Sequence, residues 1–363
     1  MSEPIRILQV VTYMGRGGLE TMLMNYYRNI DRSKVQFDFL THRYEKADYD
    51  DEIEALGGKI YHLPRLNPFS RSYLSALDSF FKEHSEYQVV HCHQDCLSGV
   101  VLKVAKANGV RFTIAHAHSA SQDKNLKYLI KVIAKKNIKK YSDQLFACGD
   151  EAGKWMFETD DFKVINNAID TDLYTYNQEK SLEVRRKLGI EGKFVVGHVG
   201  RFNYPKNHKF IVDVFDDVCK IESDSVLMLV GDGDMRGEIE DKVKALGLED
   251  KVKFMGVRSD VTELMQAMDV FLFPSLYEGL PVTMVEAQAS GLKCIISDKV
   301  PTECALTDNV QVVKLEDSPK IWANQVLEYK NYERRNTKQD IEKANFDIKT
   351  NAKWLQEFYL NKY

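Results

Sequence analysis

The chain has 363 residues, 50 Lys and Arg against 54 Asp and Glu, a formal net charge of −4 and 44% hydrophobic residues. That balance is that of a globular protein with about two cores, and it excludes a polyelectrolyte that binds nucleic acid through bulk charge. The six cysteines, mostly inside apolar runs, read as reduced core thiols rather than a disulfide framework.

The N-terminal MSEPIRILQVV lacks a basic start, a long apolar run and a small-residue cleavage site, so no signal peptide is expected. No stretch reaches the roughly 18 apolar residues of a membrane span, and a cytoplasmic protein is expected. In the first half, IRILQVV (5–11), VQFDFL (35–40), KIYHL (59–63), QVVHC (88–92), RFTIA (111–115), QLFAC (144–148) and KVIN (163–166) predict strands. Helix-length segments at 19–30, 70–84, 96–108 and 124–141 separate them. His91-Cys92-His93 with Cys96 invites a metal reading, but strand neighbours point to opposite faces, so Cys92 does not join His91 and His93 at one ion. The expectation is no metal.

KNLKYLIKVIAKKNIKKY (124–141) carries Lys124, Lys127, Lys131, Lys135 and Lys139 on one helical face and Leu126, Leu129, Ile130 and Ile133 on the other. It reads either as a surface helix with its apolar stripe in the core or as a peripheral contact with an anionic membrane. At AIDTDLYTYNQEKSLEVRRKLG (168–189) strand periodicity is lost. The pattern restarts with KFVVGHVG (193–200), SVLMLVG (225–231), KVKFMG (251–256), VFLFPS (270–275), KCIISD (293–298) and VQVVK (310–314). The division that follows is an N-terminal domain over 1–168, a linker over 169–190, a second domain over 191–345 and an amphipathic terminal helix over 346–363. Apolar strands alternating with helices imply parallel sheets covered on both faces, hence an α/β protein of two doubly wound domains facing across a cleft. Ligands bind beyond the carboxyl ends of such strands, so the strand-to-helix loops hold the candidates.

After the first strand, YMGRGGLE (13–20) supplies Gly17 and Gly18 at a helix start, either a plain tight turn or an anion seat. It is not a dinucleotide fingerprint, because Glu20 stands where the third glycine would be. GHVGRFNYPKNH (197–208) puts Arg201 and Lys206 on one loop, where a guanidinium fork and a point charge suit a diphosphate; a solvated basic loop is the plainer alternative. FMGVRSD (254–260) offers Gly256, Val257 and Arg258 as main-chain contacts for a planar base. PSLYEGLPVTMVEAQASG (274–291) ends a strand at Pro274, places Glu278 in the loop and Glu286 about one and a half turns into the next helix. A buried carboxylate needs partners, and a pair of sugar hydroxyls is one such partner, with the amides of Gly279 and Leu280 open at the helix start. Simple exposure of Glu278 and an ion pair for Glu286 are the alternatives.

Taken together and in order, these motifs resemble the retaining glycosyltransferases of family four, with the two-domain GT-B fold. The resemblance rests on Glu278-GLPVTMV-Glu286, GRFNYPKNH, GRGGLE and VINNAIDTDLY (164–174), where Ala168 replaces the usual glycine, and it covers nearly the whole chain. It implies that Arg201 and Lys206 hold the donor diphosphate in place of a metal, so that no metal cofactor is required. It implies that Glu286 binds the ribose, Glu278 the transferred sugar, and Gly17 and Gly18 the donor phosphate. His116 in TIAHAHSA (113–120) matches the active-site histidine, with His118 two residues on. The implied reaction is transfer from a nucleotide sugar, UDP-hexose or UDP-N-acetylhexosamine, to a saccharide or lipid-linked acceptor of a bacterial capsule or exopolysaccharide, with the anomeric configuration retained. An epimerase on the same fold and a non-catalytic nucleotide-binding partner subunit are the other readings, and no nucleic-acid partner is expected.

Overall fold

Thirteen strands form in the computed structural model, which describes residues 3–119 and 134–363. They are β1 (Ile5–Val10), β2 (Val35–Thr41), β3 (Ile60–His62), β4 (Val89–Cys92), β5 (Phe112–Ala117), β6 (Gln144–Ala147) and β7 (Lys163–Val164), then β8 (Phe194–Val199), β9 (Ser225–Val230), β10 (Val252–Gly256), β11 (Val270–Phe273), β12 (Lys293–Ser297) and β13 (Val310–Val313). Each falls where the sequence predicts one. All pairings within the two sheets are parallel, in the orders β3-β2-β1-β4-β5-β6-β7 and β10-β9-β8-β11-β12-β13. In each sheet the order reverses beside the first strand of the series, the topological switch point of a doubly wound fold.

The strands read as apolar runs because both faces are covered. On one face of the first sheet Ile7, Phe37, Phe39 and Ile114 meet the helices Gly18–Asn29 and Ile348–Leu360; on the other Leu8, Leu40, Val90 and Ala115 meet Arg71–Glu83 and Ser98–Ala107. The second sheet alternates in the same way, with Val196, Leu227 and Leu272 on one side and Val195, Met228 and Phe271 on the other. Residues 124–133 of the basic helical stretch lie outside the described residues, so neither reading of that face is addressed. Among the described residues no helix is long and apolar enough to cross a membrane, and no disulfide joins any of the six cysteines.

Two boundaries differ from the sequence reading. The compact units are 1–168 with 347–363, and 169–346. The expected linker belongs to the second unit: Thr171–Tyr174 and Gln178–Leu188 are helices, with Tyr174, Val184 and Leu188 packed on its core. Its polar composition arises because Gln178–Leu188 buries only Ser181 and Val184 fully. The terminal helix is part of the first unit, where Ile348, Ala352, Leu355 and Tyr359 join the core. Asp347 caps it, its Oδ2 accepting from Thr350 N at 2.9 Å.

Candidate functional site

The second unit carries most of the predicted residues, beyond the carboxyl ends of β8, β10 and β11. The loop after β8 folds back on itself: Asn203 N donates to Arg201 O at 2.8 Å, a short 3-10 turn spans Tyr204–Lys206, and Asn207 takes a left-handed conformation before the helix His208–Ile221. Leu276 N donates to Pro205 O at 2.8 Å and Asn207 Nδ2 to Pro274 O at 3.1 Å, which ties this loop to the one carrying Glu278. Lys206 Nζ stands 2.7 Å from Glu278 Oε1, with side chains only 17% and 12% exposed, and 4.7 Å from the centre of the Phe273 ring. The two loops therefore present a partly desolvated ion pair on an aromatic floor. Arg201 is exposed and 3.8 Å from its nearest carboxylate, Asp234, so its fork is available to a ligand anion. Gly279 is exposed and Leu280 half-buried ahead of the helix Val282–Ala289; no side chain caps that helix, and Pro281 is its N-cap rather than its first residue.

Glu286 projects from Val282–Ala289, half-buried, and Tyr174 Oη donates to its Oε1 at 2.7 Å. Burial raises the Glu286 carboxyl above its ordinary value, and the tyrosine bond opposes that rise. Tyr174 was not singled out in the sequence because its partner lies 112 positions away. Two further residues went unassigned, His198 and His208. His208 stacks on Phe202 with centroids 4.1 Å apart, and burial followed by the Lys206 charge pushes it down to about 4. His198 Nδ1 bonds Leu272 O at 2.9 Å, and burial holds it well below the usual histidine range.

Gly256, Val257 and Arg258 sit at the end of β10. Gly231 brings this loop close: it adopts φ 130°, its N donates to Gly256 O at 2.8 Å, and a Cβ there would lie 2.1 Å from Gly200 O. Val257 is 66% exposed and accessible to a base. The Arg258 guanidinium is closed on Asp260 through bonds of 2.7 and 2.5 Å, which leaves main-chain groups as the contacts this loop offers.

In the first unit, Gly17 is the N-cap of Gly18–Asn29 and both glycines are exposed. Glu20 folds back toward this end: a Cβ on Gly17 would lie 2.3 Å from Glu20 Oε2, and bonds to the Gly17 and Glu20 amides hold down a carboxyl that burial raises. The chain's own carboxylate thus occupies the seat proposed for a phosphate, in the manner of a capping box.

His116 lies on β5 beside three other imidazoles. Its Nδ1 is 3.2 Å from His91 Nε2, and His93 Nδ1 is 2.9 Å from His118 Nε2. The pairs lie against each other at a tilt of 30°, with His91–His93 centroids 4.2 Å apart and His116–His118 4.1 Å. Tyr359 Oη lies 2.6 Å from His91 Nδ1, and Gln9 bridges the pairs, Oε1 to His93 Nε2 at 2.9 Å and Nε2 to Tyr359 Oη at 3.3 Å. Following the protons from the Gln9 amide fixes every tautomer. Gln9 donates to Tyr359, Tyr359 to His91 Nδ1, and His91 Nε2 to His116 Nδ1, so His116 carries its proton on Nε2. Among the described residues that buried nitrogen has no partner. Burial holds His91, His93 and His116 well below the usual range and pushes His118 down to about 3. All four rings are therefore neutral near pH 7. Ring nitrogens of His91, His93 and His116 lie within 4.8 Å of one another, the one such group among the described residues. Yet His91 and His116, 9° from parallel with centroids 5.2 Å apart, already spend their facing nitrogens on the bond from His91 Nε2 to His116 Nδ1. Hydrogen bonding accounts for the close approach of these nitrogens. His116 is 1% exposed, whereas His118 is only half-buried, so His118 is the ring a ligand can reach. Cys92 faces the opposite apolar layer, as strand alternation requires, and Cys96 joins that layer from the short turn Asp95–Leu97.

The profile described as glycosyl transferases group 1 matches residues 180–345, and that described as glycosyltransferase family 4 matches 16–173. The chain is 35% identical over 334 residues to EpsF of Bacillus subtilis strain 168, provisionally assigned as a glycosyltransferase, covering 88% of this chain and 86% of that one. It is 24% identical over 369 residues to the capsular polysaccharide biosynthesis glycosyltransferase CapH of Staphylococcus aureus, covering 99% of each. Its fold is similar to that of HepE of Anabaena, crystallised with UDP, at a TM-score of 0.81 and 18% identity over 98% of this chain and 100% of that one. Two parallel α/β units, the motif residues on their strand-end loops, and these likenesses over nearly the full length place the chain in the family 4 glycosyltransferases of GT-B fold.

Proposed function

We propose that the chain transfers a hexosyl or N-acetylhexosaminyl unit from a UDP-sugar to a saccharide or lipid-linked acceptor in the cytoplasmic assembly of a surface polysaccharide, with retention of configuration and without a metal cofactor. One observation carries the reading: Arg201, Lys206 and Glu278 stand on two loops bonded to each other, with Glu286 on the helix that follows. The names of EpsF and CapH support the polysaccharide setting, and UDP bound to HepE supports the base.

In this reading the bond between the anomeric carbon and the diphosphate oxygen breaks, and the acceptor oxygen bonds to the same face of that carbon. The acceptor proton passes to the departing phosphate. Arg201 and Lys206 stabilise the charge that grows on the diphosphate, a preorganised electrostatic role. Lys206 turns from Glu278 toward phosphate, and Glu278 is released to accept from sugar hydroxyls. Glu286 accepts from the ribose, with main-chain groups of 256–258 at the base and Gly279 and Leu280 amides at the phosphate or sugar. Gly17 and Gly18 are assigned to the donor phosphate once Glu20 withdraws, and the β5 histidines to the transferred sugar: His118 makes the contact and His116 supports it from beneath. Positioning and fixed charge supply the acceleration.

The test is thermal shift with UDP, ADP, GDP and TDP, followed by product analysis with UDP-sugars. UDP at about a hundredfold its Kd should stabilise the protein by about 2.7 kcal/mol, and Lys206→Ala should abolish the shift. Stabilisation by another nucleotide but not UDP overturns the choice of base. Conversion of the donor sugar with no acceptor present would favour the epimerase.

A further inference from the structure

We propose that the Tyr174 hydroxyl is a positioning group that makes Glu286 a two-pronged acceptor for a ribose, and so sets a preference for ribonucleotide over 2′-deoxyribonucleotide ligands. The inference rests on the reading of Glu286 as the ribose contact. A ribose offers two adjacent hydroxyl donors, and a carboxylate accepts both only when it is ionised and held with both oxygens toward them. Glu286 is badly placed to hold that state alone. It is half-buried, and among the described residues no lysine, arginine or histidine pairs with it. Among the described residues its carboxylate takes one hydrogen bond, from Tyr174 at 2.7 Å to Oε1, which leaves a lone pair there and both on Oε2.

The tyrosine is fixed independently of any ligand. Its ring packs in the apolar clusters of the second unit beside Leu280. Its carbonyl accepts from Gln266 Nε2 at 3.2 Å, and Gln266, 1% exposed, takes Asn177 N at 2.8 Å on its other amide atom. Asp170 caps the turn through Asp172 N at 3.1 Å. The hydroxyl therefore cannot follow Glu286 if the carboxylate swings away, and it selects the rotamer that keeps Oε1 in place. Removing it leaves a carboxylate that either protonates or turns to solvent, and a protonated acid cannot accept from both ribose hydroxyls.

Calorimetric titration of UDP and 2′-deoxy-UDP into wild type, Tyr174→Phe and Glu286→Gln separates the cases. Wild type should favour UDP. Tyr174→Phe should weaken UDP about tenfold and 2′-deoxy-UDP much less, so that the ratio of the two Kd values falls toward that of Glu286→Gln. A packing defect alone would weaken both ligands alike and leave the ratio at the wild-type value, which overturns the proposal. If wild type binds both ligands equally, or Glu286→Gln behaves as wild type, the failure lies in the reading of Glu286, and the proposal falls with it. A Tyr174→Phe protein that loses its secondary structure would likewise overturn it, because the hydroxyl would then be a requirement of the fold.

Discussion

Arg6 and Arg28 each fork to a carboxylate, yet their removal should differ widely in effect. Arg6 Nε and Nη2 reach the two oxygens of Asp38, each at 2.5 Å, and Asp38 is fully buried in β2, where Tyr87 Oη and Lys59 N also bond it. Arg28 holds Glu52 at 2.6 and 2.8 Å with both side chains more than a third exposed. Arg6→Ala strands a buried charge and should cost about 3–5 kcal/mol, while Arg28→Ala should cost about 0–1 kcal/mol. Urea denaturation of the two variants checks this; equal midpoints would refute it. The same contrast governs what could be read from the sequence. Glu278, Glu286, Arg201 and Lys206 were legible because a loop motif is local. His91, His93, His116 and His118 show the two-residue spacing of one strand face, but only the pairing of β4 with β5 makes one cluster of them. Tyr359 reaches Gln9 across 350 positions, and no local pattern encodes that.

Elements were more legible than their allegiance. A strand buried on both faces announces itself as an apolar run, which is why all thirteen were found, down to the two residues of β7. Whether an amphipathic helix packs on the nearer or the farther unit is not in its stripe. Ile348–Leu360 follows the second unit in sequence and packs on the first, against Gly18–Asn29, and Gln356 Oε1 accepts from Asp31 N at 2.7 Å. Leu355 is 3% exposed there. Leu355→Ala should therefore destabilise the first unit by about 2–5 kcal/mol and leave the second unchanged, while Lys353→Ala on the exposed face should do nothing measurable. Amide exchange resolved by unit distinguishes the outcomes. Loss of protection in 169–346 would mean the helix belongs energetically to the second unit. The 169–190 segment was misassigned for the converse reason: its polar face dominates the composition, and the few side chains that anchor it are visible only once packed.

At the scale of the whole molecule, the buried imidazoles make the two units unequal in acid. His42, His91, His93, His116 and His118 in the first unit, and His198 and His208 in the second, are all held below the ordinary histidine value of 6.5 by burial. In the unfolded chain they titrate near 6.5, so below that pH the unfolded state binds more protons and stability falls as pH falls. The loss continues until the folded state also binds, near 3 for His118 and near 4 for His208. Each group held well below the usual histidine range costs about 1 kcal/mol over the unit below 6.5, so the four clustered rings should remove about 4 kcal/mol from the first unit, with His42 acting in the same direction, and His198 and His208 about 2 kcal/mol from the second. Glu20 in the first unit and Glu286 in the second, whose carboxyls burial raises, act in the opposite sense. Urea melts at pH 7.5 and 5.5, read by amide exchange in each unit, should therefore show the first unit losing more stability than the second. Parallel losses in both units would mean that the imidazole cluster admits protons in the folded state, and would remove the argument for four neutral rings at the end of β4 and β5.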